Sequence, residues 1–194
     1  EDMEIMAAIS PSEKPYMKMG VFQIWKKRIP WLLLLMITAT ITSKIISSFE
    51  AALSACVALT AFIPMLMDTG GNAGSQASVS VIRGLSMDEI EPKDAFRVLL
   101  KEVRVSLLCA ATLAPVAFLK VLFIDRETML VSITVAFTLF FTVCLAKVIG
   151  CLLPLLAKKM KLDPAVMASP LITTVVDALS LLLYFAFASR ILGL

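Results

Sequence analysis

Runs of apolar sequence long enough to cross a bilayer leave this chain little choice of fold. A helix rises about 1.5 Å per residue, so roughly 20 apolar residues span a hydrocarbon core about 30 Å thick. Runs of that size occupy positions 29–49, 51–83, 105–124, 128–157 and 163–192. Hydrophobic residues make up 59% of the 194, against about 45–50% in soluble domains. The mean hydropathy is +0.91. Backbone inside lipid must satisfy its own hydrogen bonds. The expected class is therefore an all-α integral membrane protein, folded as one bundle in the lipid bilayer.

The run at 51–83 reads either as one long interrupted span or as two short ones, and charge decides. Counted as one span, it places three basic clusters on the same side: Lys26-Lys27-Arg28, Arg83/Lys93/Arg97/Lys101/Arg104 and Lys158/Lys159/Lys161. Counted as two, it sends both later clusters outside, against the tendency of basic loops to stay cytoplasmic. Five transmembrane helices follow, with the N-terminus cytoplasmic and the C-terminus external in a plasma membrane. Residues 1–28 are then a cytoplasmic and interfacial segment, and residues 29–194 the five-span domain.

Finer expectations follow along the chain. Residues Glu1–Met6 suit a short amphipathic helix, ended by Pro11 and Pro15. Trp25 and Trp31 flank the first basic cluster as aromatics do at a membrane interface. The hydroxyl-rich half of the first span, Thr38 to Ser48, is expected to pack on protein. Lys93–Arg104 reads as a separate interfacial helix. The third span should kink near Pro115, and Asp125-Arg126-Glu127 should form a tight turn. The chain opens on Glu1 without a signal peptide pattern, which reads as a cut inside a longer protein.

Composition narrows function. The net charge is +3 with 17% charged residues, which gives no nucleic-acid footprint. No histidine is present, so the commonest transition-metal ligand and general base are missing. Cys56, Cys109, Cys144 and Cys151 sit in apolar runs without a C-x-x-C pair and read as small hydrophobes.

What remains is a set of polar groups inside the spans. Pro64–Gln76 holds a proline, three glycines and several hydrogen-bonding side chains where an apolar helix should run on. It reads as bent backbone walling a polar passage, since lipid tolerates such a segment only against protein or water. Asn72, Gln76 and Ser80 recur every four residues, and Gly70 and Gly74 form a G-x-x-x-G pair suited to close helix approach. Gly71 lies beside them. In the last span, Ser169, Thr173, Asp177, Ser180 and Tyr184 share one helical face. A carboxylate there is costly unless it faces a pore or the bundle interior. A polar seam that merely glues helices is the plainer alternative. Oxygen-rich faces of this kind suit a hard cation, magnesium or calcium. One Asp177 per chain is thin for such a site, and a two-fold homodimer doubles it. Lys147, deep in the fourth span, is open to three readings: pairing with a carboxylate, lining a vestibule, or snorkelling to the surface.

These motifs resemble the MgtE family of magnesium channels and transporters over nearly the whole chain. The resemblance is carried by P-x-x-x-x-TGGN-x-G-x-Q at Pro64–Gln76, by Ile82-Arg83, by Asp163-Pro164-Ala165, and by Pro170-Leu171-Ile172-Thr173-Thr174 leading to Asp177. It implies a bacterial five-span homodimer with one central pore lined by the second and fifth helices. It implies that Asp177 holds a hydrated Mg2+ ion, that the Thr173 carbonyl helps hold its waters, and that the ion is transported rather than resident. Gly70, Gly71, Asn72, Gly74, Gln76, Ser169 and Ser180 are then pore-lining. The family also carries an acidic N-terminal domain and paired CBS domains before a connecting helix, of which Glu1–Met6 would be the tail. Asp2 and Asp163 match positions where regulatory magnesium holds the pore closed. Asp68 stands where many relatives have glycine, so the resemblance assigns its side chain no pore role.

Two other classes stay open. A membrane scaffold would need no ion pathway. Asp68-Thr69-Gly70 also spells the DTG of aspartic proteases, and with Asp177 could supply the two carboxylates that such chemistry needs.

Overall fold

A computed structural model describes residues 16–167 and 169–193, and those residues contain no strand. Six α-helices follow in order: α1 (Val21–Ser48), α2 (Glu50–Ala55), α3 (Ala58–Ser86), α4 (Ala95–Leu119), α5 (Met129–Lys159) and α6 (Ser169–Leu192). The expected helix at Glu1–Met6, and Asp2 with it, lies outside the described residues. Helices over Val21–Ser48, Pro92–Ile124, Met129–Lys159 and Pro170–Leu192 are long and apolar enough to cross a membrane. The fifth long helix, α3, has 29 residues but carries the polar motif.

Helix α5 is the hub. It packs against α3, α4 and α6, while α3 also packs along α6 and α1 leans mainly on α6. The main core joins Leu59, Phe62 and Leu66 of α3 with Val135, Leu139 and Val143 of α5 and with Ile172, Val176, Tyr184 and Phe185 of α6. Phe49, between α1 and α2, stacks on Phe185 with ring centroids 4.4 Å apart. The Tyr184 hydroxyl donates to the Leu59 carbonyl at 3.0 Å, tying the start of α3 to the far half of α6. A smaller cluster, Val81, Leu85, Cys151 and Leu155, closes the opposite end against α4. All four cysteines are free thiols.

Two expectations need correction. The Pro64–Gln76 stretch does not break the helix: α3 is continuous from Ala58 to Ser86, through Pro64 and all three glycines. The interruption in the 51–83 run falls earlier, at Cys56 and Val57, between α2 and α3. The glycines are helical because what they supply is the missing side chain rather than unusual backbone. A Cβ at Gly70 would lie 2.6 Å from Thr142 Cγ2, one at Gly74 2.9 Å from Ile172 Cγ2, and one at Gly71 3.0 Å from Thr173 Cγ2. Close packing between small residues is how helices associate where lipid removes the hydrophobic drive. Lys93–Arg104 is not a separate interfacial helix either. From Ala95 it is the first part of α4, because an amphipathic pattern serves a helix end that emerges from a bundle equally well. And α1 buries no residue within the chain. Only one edge, with Thr38, Thr42, Ile45 and Ile46, is half-buried.

Pro115 leaves α4 intact, and the chain widens into a π turn at Lys120–Ile124 before the turn at Asp125, with Arg126 in left-handed conformation at φ 57°. Lys120 anchors that turn through Asp125 at 2.8 Å. Thr128 then caps α5, its hydroxyl accepting from the Val131 N–H at 3.3 Å.

Candidate functional site

Because Gly70, Gly71, Ala73, Gly74, Ala77 and Ser78 turn inward, a helix with period 3.6 must present the residues between them outward. Pro64, Asp68, Asn72, Gln76 and Ser80 are all exposed, and they recur every four residues along one side of α3. The inner side is nearly smooth. At the α3–α5 crossing Gly74 meets Ala146 and Gly150, where a Cβ on Gly150 would run into the Gly74 backbone.

Helix α6 runs antiparallel to α3 and brings Asp177 alongside the stripe, half-buried. Thr173 and Thr174 are half-buried one turn earlier, and both hydroxyls donate to the Pro170 carbonyl at 3.0 Å. The Thr173 carbonyl lies inside α6, and a helical carbonyl keeps a second lone pair for water or an ion's hydration shell. Asp68 lies close enough to Asp177 for the two carboxylates to act on each other electrostatically. Among the described residues neither has an ion-pair or hydrogen-bond partner.

The other expected site residues are dispersed. Ser180 is 1% exposed and donates to the Val176 carbonyl at 2.6 Å, so its hydroxyl is spent on its own helix. Tyr184 is a packing anchor. Ser169 opens α6. Asp163 is exposed before the Pro164–Met167 turn, and its Oδ1 accepts from the Ala165 N–H at 2.9 Å. Lys147 is 5% exposed within α5, beside Ala146 whose carbonyl faces Gly74. Of the structural features here, Gly150 and the position of Asp68 escaped sequence reasoning. The i, i+4 series from Pro64 to Ser80 was the available signal for Asp68.

Comparison with known proteins decides the class. The family model of MgtE, described as a divalent cation transporter, matches residues 63–187. That match covers more than half of the chain, including the stripe and Asp177. The chain belongs to the MgtE family. It is 34% identical over 192 residues to the magnesium transporter MgtE of Thermus thermophilus, covering 99% of this chain and 42% of that protein. It is 40% identical over 163 residues to the magnesium transporter MgtE of Bacillus subtilis, covering 84% of this chain and 36% of the other. A third MgtE magnesium transporter, of Enterococcus faecalis, is 31% identical over 163 residues. The chain thus spans less than half the length of these curated relatives. MgtE proteins are transporters rather than enzymes, and the aspartyl protease reading of Asp68-Thr69-Gly70 falls with that.

Proposed function

We propose that this MgtE chain is the membrane domain of a magnesium channel or transporter, in which two copies surround a central pore lined by α3 and α6 of each. The observation that carries the reading is the exposed stripe Asp68, Asn72, Gln76 and Ser80 on a helix packed among membrane-spanning neighbours, with Asp177 beside it. Lipid offers carboxylates and amides nothing to bond to, and stranding them there is costly. A second copy and the water between two copies would satisfy them. In this arrangement α3 is the fifth span, the helix ends carrying Arg83 and Lys158 face the cytoplasm, and the C-terminus is external.

Two-fold symmetry also answers the shortage of ligands. Among the described residues no three acidic or cysteine side chains come together within one chain. Magnesium gives up its water reluctantly and needs few direct ligands. Two Asp177 carboxylates across an axis, with the Thr173 carbonyls behind them, can hold the ion through its hydration shell. Asn72 and Gln76 would supply further oxygen along the path. Gly70, Gly71 and Gly74 would shape the wall by letting α3 sit close on α5 and α6, with Ser169 and Ser180 completing the α6 side.

Magnesium uptake into liposomes containing the purified chain tests this. Wild type is expected to admit magnesium in preference to sodium, and Asp177→Asn to lose that preference while remaining dimeric. A variant with unchanged preference removes Asp177 from the ion path, and no flux from wild type favours a scaffold. Regulation is a further part of the proposal. Asp163 engages only Oδ1 in its turn, which leaves Oδ2 for a magnesium ion on the cytoplasmic side together with Asp2. Flux measured against magnesium on that side, with and without Asp163→Ala, decides whether it is a ligand or a turn cap alone.

A further inference from the structure

We infer that Asp68 is a second selectivity-determining carboxylate of the same ion path, standing at the level of Asp177 and doubling the acidic charge that each chain offers to a hydrated divalent ion. This rests on the pore reading above and adds a residue to it.

The register of α3 against α6 places the two. Leu59 meets Tyr184 through the hydroxyl–carbonyl hydrogen bond. Gly70 faces Val176 and Ser180, Gly71 faces Thr173, and Gly74 faces Ile172 and Val176. Each step forward on α3 is matched by a step back on α6. Continued by the same rule, the pairing sets Asp68 against Asp177. Helical rise gives the same answer: from the Tyr184–Leu59 tie, Asp177 lies about 10 Å along α6 and Asp68 about 13 Å along α3. The difference is under one helical turn.

Orientation comes from the packing. Asp68 precedes Gly70, which is pressed against α5 and α6, and the side opposite that contact is where Asp68 is exposed. It shares that side with Asn72 and Gln76. The basic residue of the stripe, Arg83, is fifteen positions away at the helix end, about 22 Å by helical rise. Two carboxylates at one depth, neither with an ion-pair or hydrogen-bond partner among the described residues, repel unless a cation sits with them. A divalent ion with its water shell relieves that repulsion, and affinity for such ions rises with the number of acidic groups around the site.

The test uses the full chain in liposomes, with Asp68→Asn, Asp68→Glu and Asp177→Asn compared for half-saturating magnesium and for magnesium-over-sodium preference. Size-exclusion profiles check the fold of each. Asp68→Asn is expected to raise half-saturating magnesium about tenfold and to weaken the preference for the divalent ion, with Asp68→Glu returning to within about twofold of wild type. Asp68→Asn identical to wild type, while Asp177→Asn loses selectivity, overturns this inference and leaves the pore reading standing. If Asp177→Asn is also unchanged, or wild type passes no magnesium, the pore reading fails and this inference with it. If Asp68→Asn no longer yields a folded chain, Asp68 belongs to packing and the inference is overturned.

Discussion

Helices α1 and α3 look alike on paper and differ in what their polar residues can do. Each is close to thirty residues long, each contains an interior proline, and each is rich in polar side chains. From Thr38 on, most of those side chains in α1 are hydroxyls, and four of them fold back onto their own helix. Thr38 donates to Leu35, Thr40 to Met36, Ser43 to Ala39 and Ser48 to Lys44, each onto a backbone carbonyl. A helix whose polar groups are satisfied this way can face lipid. In α3 Ser80 does the same, onto Gln76. Asp68, Asn72 and Gln76 cannot discharge a carboxylate or a full amide on the preceding turn, so they require something beyond the helix. On the proposed reading, the kind of polar group, rather than its number, separates a lipid-facing α1 from a water-facing α3.

Changing the smooth side of α3 should have the largest effect. Gly150→Leu forces side-chain atoms into the Gly74 backbone at the α3–α5 crossing. Overpacking of a well-packed core costs about 1–3 kcal/mol, occasionally more, and here no flexible side chain can yield. Loss of a monodisperse peak in detergent is the expected result; a normal peak would show that the two helices can part at little cost. On the opposite side, Asn72→Ala and Gln76→Ala should leave that peak unchanged and reduce magnesium flux several-fold in liposomes. Equal flux would reduce the stripe to a surface without function. Tyr184→Phe removes one buried hydrogen bond, for a loss of about 1 kcal/mol in thermal or denaturant stability. The smallest effect belongs to α1. Thr40→Val with Ser43→Ala should change neither stability nor flux measurably, and a clear drop in flux would put α1 on the ion path and end the contrast with α3.

Much of this organisation was legible from residue order alone. Span lengths, the sidedness of basic clusters and the isolation of Asp177 each follow from the cost of polar groups in lipid, which depends on residue type and depth. Glycine's role was not legible, because the same residue permits a bend or permits an approach. Only the neighbours Thr142, Ile172 and Gly150 show that approach is what Gly70 and Gly74 provide. Burial of Ser180 and exposure of Asp68 were hidden for a related reason. A shared helical face is a matter of spacing, but which face turns toward the partner helix depends on packing from elsewhere in the chain. Family likeness passed over Asp68 because it weighs positions singly, while its meaning lies in the row it completes.

The tie between Tyr184 and Leu59 also has a mechanical side. It fixes α6 to α3 at one end, and the close approach of Gly71 to Thr173 and of Gly74 to Ile172 fixes them again toward the other, so the two helices form one rigid strut.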